Sequence, residues 1–337
     1  MGKLPVDLLR GLLSRFAKTR DPRVLVGAGI GLDAAAIRID EKILVAKTDP
    51  ITFVADEIGA YALLTNANDL ATMGATPKWF LATVLLPTRS TTVSSVNSLF
   101  AQLHMICRRL RVAWCGGHSE ITDAVTRPVV VGCLLGECVH GKIVTAAGAQ
   151  IGDVVLLTKG LAIEAVSILA RERAIEIRRR HGAPFLARCR QYLTDPGLSI
   201  LKEAQVAMAV GGVHAMHDPT EGGLSSALYE MAEAAGVGLK IDANAVHILP
   251  EATRLCADFG LNPLGVIASG SLLICTDQTC ERRMVGRLRK ARIPVARIGT
   301  VVPKRNGVTL VDKGRARPFP WFAVDELARL FAPSRAG

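Results

Sequence analysis

Between Arg23 and about Ala147 the chain alternates apolar and polar residues with the period of two that a half-buried strand requires. AAAIRID (34–40) and KILVAKTD (42–49) flank the short turn Asp40–Glu41, which predicts a hairpin. WFLATVLL (79–86) and PVVVGCLLG (128–136) predict two more strands. Between them, Val93, Val96, Phe100, Leu103, Cys107 and Leu110 recur at spacings of three and four. That is the mark of an amphipathic helix, entered through Ser90 and Thr91. AAGAQIGD (146–153) reads as a domain junction. Beyond it, DVVLLTKG runs as an apolar strand through Gly160 into a helix beginning near Leu161. Helices at 198–210, 222–235, 250–259 and 278–291 and strands at 272–275 and 295–302 follow, and the tail from Pro318 predicts a short helix. At 337 residues the chain suits two domains. The pattern divides it into an N-terminal helix (1–22), an α+β domain (23–147), an α/β domain (148–325) and a tail (326–337), an α/β fold class as a whole.

Composition narrows the function classes. Half of the residues are hydrophobic, as in a packed α/β protein, and no apolar stretch reaches the ~20 residues that cross a bilayer. The N-terminal apolar run is broken by Asp7, Arg10 and Arg15, so it reads as an amphipathic helix rather than a signal peptide. Eight dispersed cysteines with no CxxC pair read as reduced, mostly buried thiols, and the expected location is cytoplasmic. The formal net charge is +11, concentrated in Arg171–Arg180 and Arg282–Arg292. Both runs carry apolar residues at helical spacing and read as solvated helix faces. A basic field of this kind attracts anionic substrates, but the aromatic platforms and motifs of nucleic-acid binding are missing.

Two nucleotide-binding patterns are near-misses. GECVHGKI (136–143) has P-loop glycine and lysine spacing but lacks the Ser or Thr that binds Mg²⁺, and His140–Gly141–Lys142 reads as a turn between strands. GAGIG (27–31) has the wrong spacing for a dinucleotide fingerprint and is followed by a strand. Other segments are more informative. GAGIGLDAAAI sets Asp33 after a turn that can bring backbone amides to an anion. AKTDPITF ends a strand with Lys47 and Asp49 before Pro50. NANDLATMGATP puts Asn66 and Asp69 on one helix face, opposite an apolar stripe of Leu63, Ala67, Leu70 and Ala71. CGGHSEIT sets His118 and Glu120 after a Gly-Gly turn, and MHDPTEGGL puts Asp218 just before a helix that starts near Thr220. Taken singly, Asp218 and Thr220 read equally well as helix caps and His118 as a structural residue. Together, carboxylates recur beside glycines at strand ends and helix starts. Asp33, Asp49, Asp69 and Asp218 are the kind of ligand set Mg²⁺ takes beside phosphate oxygens.

In this order the motifs GxGxDAA, TDP, NDLATMGATP, GGHSE and DPTEGGL resemble the AIR synthase-like (PurM-like) superfamily over residues 23–302. That superfamily includes aminoimidazole ribonucleotide synthetase, selenophosphate synthetase, thiamine-monophosphate kinase and the hydrogenase-maturation protein HypE, and the HypE-like members are nearest. The resemblance implies a homodimer formed through the N-terminal domains, ATP between the domains, and Mg²⁺ on Asp33, Asp49, Asp69 and Asp218. It gives Gly29 and Gly31 the phosphate turn and Lys47 the neutralisation of phosphate charge. Asn66 joins the nucleotide site, Thr220, Glu221 and Gly222 line the second-domain side, and His118 or Glu120 handles protons near the acceptor. The implied reaction is ATP-driven activation of an amide or similar oxygen, releasing ADP and phosphate, on a small-molecule or protein-borne acceptor with a possible maturation-protein partner. A thiamine-phosphate type of kinase and a non-enzymatic nucleotide-binding maturation partner are the alternatives. Two departures stand out: Leu32 precedes Asp33 where relatives often have a second acid, and no cysteine lies beyond Cys280 or before Cys107. Self-carried carbamoyl dehydration and selenide activation are therefore not expected.

Overall fold

A computed structural model of the chain describes residues 4–138 and 141–331. It divides into an N-terminal unit (Thr19–Gly27 and Asp33–Ile143) and a C-terminal unit (Met1–Lys18, Ala28–Leu32 and Val144–Gly337). The division is discontinuous in sequence, because the first helix, α1 (Val6–Phe16), and the Gly-rich segment 28–32 pack with the C-terminal unit. Arg10 of α1 is tied to Glu233 at 2.7 Å.

The N-terminal unit is one six-stranded sheet in the order β1 (Val24–Val26), β2 (Ala35–Ile39), β3 (Lys42–Ile51), β6 (Val129–Cys138), β4 (Ala75–Pro87) and β5 (Ala113–Thr122). The predicted hairpin is β2–β3, with Asp40 at positive φ in its turn. β4 and β5 run parallel, so the chain must cross the sheet between them, and α3 (Val93–Leu110) makes that crossing. Its cap is Thr92, whose side chain accepts from Ser95 N–H at 3.1 Å, rather than the predicted Ser90 or Thr91. α2 (Ile58–Thr72) lies against β3, β4, β6 and α3 and is buried along its whole length. Its polar residues are therefore interior rather than solvated, unlike those of an ordinary amphipathic helix. Glycines permit this close seating. A Cβ on Gly132 of β6 would lie 2.5 Å from Asn66 Nδ2, and one on Gly136 would lie 2.7 Å from Leu70 Cδ2. Gly136 sits within β6, and the next α-helix of the described residues begins only at Ile163, so the P-loop reading fails for want of a helix N-terminus. The turn predicted at His140 lies outside the described residues.

The C-terminal unit holds a seven-stranded sheet in the order β13 (Arg315–Pro318), β12 (Val308–Asp312), β9 (Gly238–Asp242), β11 (Val295–Val302), β7 (Val154–Thr158), β10 (Leu273–Thr276) and β8 (Val213–His217). The central strands β7 and β10 are buried at every residue, which requires cover on both faces. The helices are α4 (Ile163–Glu172), α5 (Ala174–Gln191), α6 (Leu201–Val210), α7 (Gly223–Ala235), α8 (Pro250–Phe259), α9 (Glu281–Lys290) and α10 (Glu326–Phe331). Among the described residues no helix is long and apolar enough to cross a membrane.

Candidate functional site

The alternation of β3 decides which of its residues meet α2. Ile43, Val45 and Ile51 are buried, so Lys47 and Asp49, at the same parity, face the same side. On α2, Asn66 and Asp69 are three residues apart and share a face. Their meeting builds a polar cluster in an otherwise apolar layer. Lys47 Nζ lies 3.1 Å from Asp69 Oδ2, and Asn66 Nδ2 donates to the carbonyls of Ala62 at 2.8 Å and Asp49 at 3.5 Å. β3 continues through Asp49 and Pro50 to Ile51, so this is mid-strand geometry and not the predicted strand end.

The electrostatics of this cluster are unbalanced. Burial works against the Lys47 ammonium, but Asp69, Asp49 and Asp33 outweigh it and hold its pKa above the usual lysine range. Burial also pushes the Asp69 carboxyl up to about 7; Lys47 pulls it down, while Asp33 and Asp49 push it up. Asn66 Oδ1 is buried and accepts no hydrogen bond from the described residues. Three carboxylates against one ammonium leave, on full ionisation, the charge that one divalent cation would balance. The unused buried acceptor and the all-oxygen donor set fit a hard cation such as Mg²⁺. Asp33, Asp49 and Asp69 are thus brought together with Lys47 and Asn66 in the N-terminal unit, whereas Asp218 belongs to the C-terminal unit.

His118 and Glu120 sit elsewhere. GGHSE is not a turn: Gly116 and Gly117 lie inside the continuous strand β5, and the imidazole and carboxylate are exposed, 3.4 Å apart, at the sheet edge. Two strands separate β5 from β3, which sets His118 roughly 14 Å from β3 within one chain. Gly31 has φ +71, and a Cβ there would lie 2.6 Å from Glu230 O of α7, so close packing on that helix requires glycine. A Cβ on Gly29 would meet Leu32 Cδ1 at 2.7 Å.

In the C-terminal unit, Asp218 is buried after β8 and does not cap a helix. α7 starts at Gly223, with Gly222 before it in the left-handed region, and Gly223 N–H donates to Thr220 O at 2.9 Å. The Thr220–Gly222 turn is fixed from a distance, because Gly222 N–H donates to Asp325 Oδ2 at 2.6 Å. Burial raises Asp325 to about 7, against the backbone donors Gly222, Leu327 and Ala328, with Glu221 adding to the rise. Glu164, at the start of α4, is 3% exposed, and its Oε2 accepts nothing from the described residues. Burial pushes its carboxyl up to about 8; hydrogen bonds from Ser269 oppose this, and Glu221 and Asp325 reinforce it. Spacing and motif do not single out Glu164, Ser269 or Asp325. The available signal is an acid inside the apolar run IEAVSILA.

Sequence models of the AIR synthase related protein match residues 31–138 as its N-terminal domain and 150–312 as its C-terminal domain. The chain belongs to the AIR synthase related family. It is 26% identical over 298 residues to a hydrogenase expression/formation protein of Methanocaldococcus jannaschii, covering 86% of this chain and 84% of that one. It is also 26% identical over 291 residues to the carbamoyl dehydratase HypE of Cupriavidus necator, covering 83% and 78%. The crystal structure of the hydrogenase maturation protein HypE in complex with ATP has the same fold, with a TM-score of 0.71 at 21% identity over 95% of this chain and 98% of that one. The Lys47 cluster lies wholly in the family's N-terminal domain and the Glu164–Asp325 cluster straddles the end of its matched C-terminal domain.

Proposed function

We propose that the chain is an ATP- and Mg²⁺-dependent enzyme of the HypE type. It would activate an amide or similar oxygen of an acceptor by phosphoryl transfer, with release of ADP and phosphate. The observation that carries this reading is the buried set of three carboxylates, one lysine and one unused amide oxygen on β3 and α2. Asp33, Asp49 and Asp69 would hold Mg²⁺, with Asp218 a fourth candidate from the C-terminal unit. The ion supplies charge neutralisation for a triphosphate. Lys47, kept protonated by its three carboxylate neighbours, offsets negative charge on the transferring group without moving, because Asp69 fixes its ammonium. Asn66 orients the cluster through its bonds to the backbone of α2 and β3. The relatives' names, a carbamoyl dehydratase and a hydrogenase formation protein, support an amide-like acceptor and a role in maturation.

The N-terminal sheet supports pairing of two copies. Its face away from α2 and α3 carries half-exposed Leu44, Leu81, Leu85, Val131 and Leu135, and β5 is an unpaired edge. His118 and Glu120 on that edge would then handle protons near an acceptor held by the pair.

Calorimetric titration with ATP, with and without Mg²⁺, tests the site in the wild type and in Asp69→Asn. Incubation with carboxamide acceptors, with ADP and phosphate measured separately, tests the reaction. Mg²⁺-dependent binding lost in the variant supports the site. ADP formed without phosphate moves the reading to a kinase, and no nucleotide binding at millimolar concentration overturns it.

A further inference from the structure

The two basic runs of the sequence behave differently once folded. The arginines of α5 and its approach are mostly engaged within the molecule. Arg180 pairs with Glu176 at 2.8 Å, Arg188 with Glu251 at 3.3 Å, and Arg171 and Arg190 donate to the backbone of Ser167 and Ala170. Those of α9 differ in lacking carboxylate partners, although Arg283 does donate to the carbonyl of Val210 at 3.0 Å. Arg282, Arg283, Arg287, Arg289 and Lys290 are all exposed, and among the described residues none of them pairs with a carboxylate. The one acid of the helix, Glu281, is engaged by Arg297 at 3.0 Å.

Helix stability does not account for this arrangement. Cations in the last turn suit the helix dipole, but Arg282 and Arg283 stand in the first turn, where they oppose it. Arg283 and Arg287 are like charges at i,i+4. The exposed face also carries Gly286 in mid-helix, where glycine weakens a helix relative to alanine. No internal packing requires that glycine, since a Cβ there would find nothing within 4 Å. On a helix surface the neighbours of residue 286 are those three and four positions away: Arg282, Arg283, Arg289 and Lys290. Gly286 is thus a shallow notch ringed by four cations, while Met284 and Leu288 anchor the opposite side of the helix in the core.

We infer that this ringed notch on α9 is a docking site for an acidic segment of a partner protein. Charge selects the partner's sign. The missing side chain at Gly286 selects a protein main chain, which can approach the helix closely and set carboxylates against the guanidinium groups on either side. A nucleic-acid backbone would be reached by the long side chains themselves and would gain nothing from the glycine.

The test uses the full chain and a fluorescein-labelled ten-residue oligoglutamate peptide, followed by anisotropy. The expected result is salt-sensitive binding, weakened at least tenfold in Gly286→Leu, which keeps every charge, and in the double variant Arg283→Glu/Arg289→Glu. Arg178→Glu/Arg179→Glu on α5 should leave it within twofold. Circular dichroism and thermal melts check that each variant is folded, and Gly286→Asn serves as a second notch-filling change. Equal loss in the α5 and α9 charge variants would mean that net charge alone attracts the peptide and would overturn the site. Unchanged binding in both notch variants, or tighter binding of a short RNA duplex displaced by the same α9 charges, would also overturn it.

Discussion

Replacing Glu164 with Gln keeps the shape of a buried side chain and removes its ability to ionise. In the fold this carboxyl titrates near 8, against an ordinary value of 4.5. Between these values the folded state holds a proton that the unfolded chain has lost, so stability falls as pH rises through the window. Each tenfold difference in proton affinity between the two states corresponds to ~1.4 kcal/mol, and at pH 7.5 the penalty on the native state is about 4 kcal/mol. Below pH 4.5 both states are protonated and the penalty disappears. Gln carries no such penalty. Its titratable neighbours are Glu221 and Asp325, whose charges act on a carboxylate but not on a neutral amide. Glu164→Gln should therefore raise the unfolding free energy by about 3 kcal/mol at pH 7.5 and by less than about 1 kcal/mol at pH 5. Urea unfolding of both proteins at pH 5, 6, 7 and 8, followed by far-ultraviolet circular dichroism, measures the difference. A gap between the two proteins that does not change with pH would refute the reasoning. So would a variant less stable than wild type at pH 8, because it would mean that the carboxylate is ionised and stabilised in the fold.

Lys47→Met leaves Asp33, Asp49 and Asp69 without their counter-charge and should weaken Mg²⁺–ATP binding at least tenfold by calorimetry. It should also destabilise the fold by about 3 kcal/mol in Mg²⁺-free buffer. Gly31→Ala forces a Cβ to 2.6 Å from Glu230 O at φ +71, and thermal unfolding should show a loss of about 2 kcal/mol. Glu203→Gln removes the carboxylate 3.0 Å from the buried Lys159 ammonium, leaving only the Gly197 and Ser199 carbonyls to hold it. The expected cost is about 3 kcal/mol near neutral pH. Burial already lowers the Lys159 pKa, so the loss should shrink as pH rises and the lysine gives up its proton, which urea midpoints between pH 7 and 10 would reveal.

Much of the site is readable from residue order, because the relevant spacings are short. Period-two alternation sets Lys47 and Asp49 on the face of β3 that carries Ile43 and Val45, and helical spacing sets Asn66 beside Asp69. The helix expected to start near Thr220 begins only at Gly223, because Gly222 before it takes a left-handed φ and ends a turn. The same local logic misreads GGHSE as a turn, since paired glycines in an edge strand look like a loop until their neighbours on β4 are known. It also misses β8 and β9, which are only five residues each.

What the amino-acid order determines by itself is local periodicity: which stretches are strand or helix, and which side chains share a face. Tertiary structure alone decides which faces meet. It inserts β6 between β3 and β4, sinks all of α2 so that Asp69 becomes a buried acid, and carries Asp325 to the amide of Gly222. The charge state of each group then follows from its burial and its neighbours, which residue spacing does not encode.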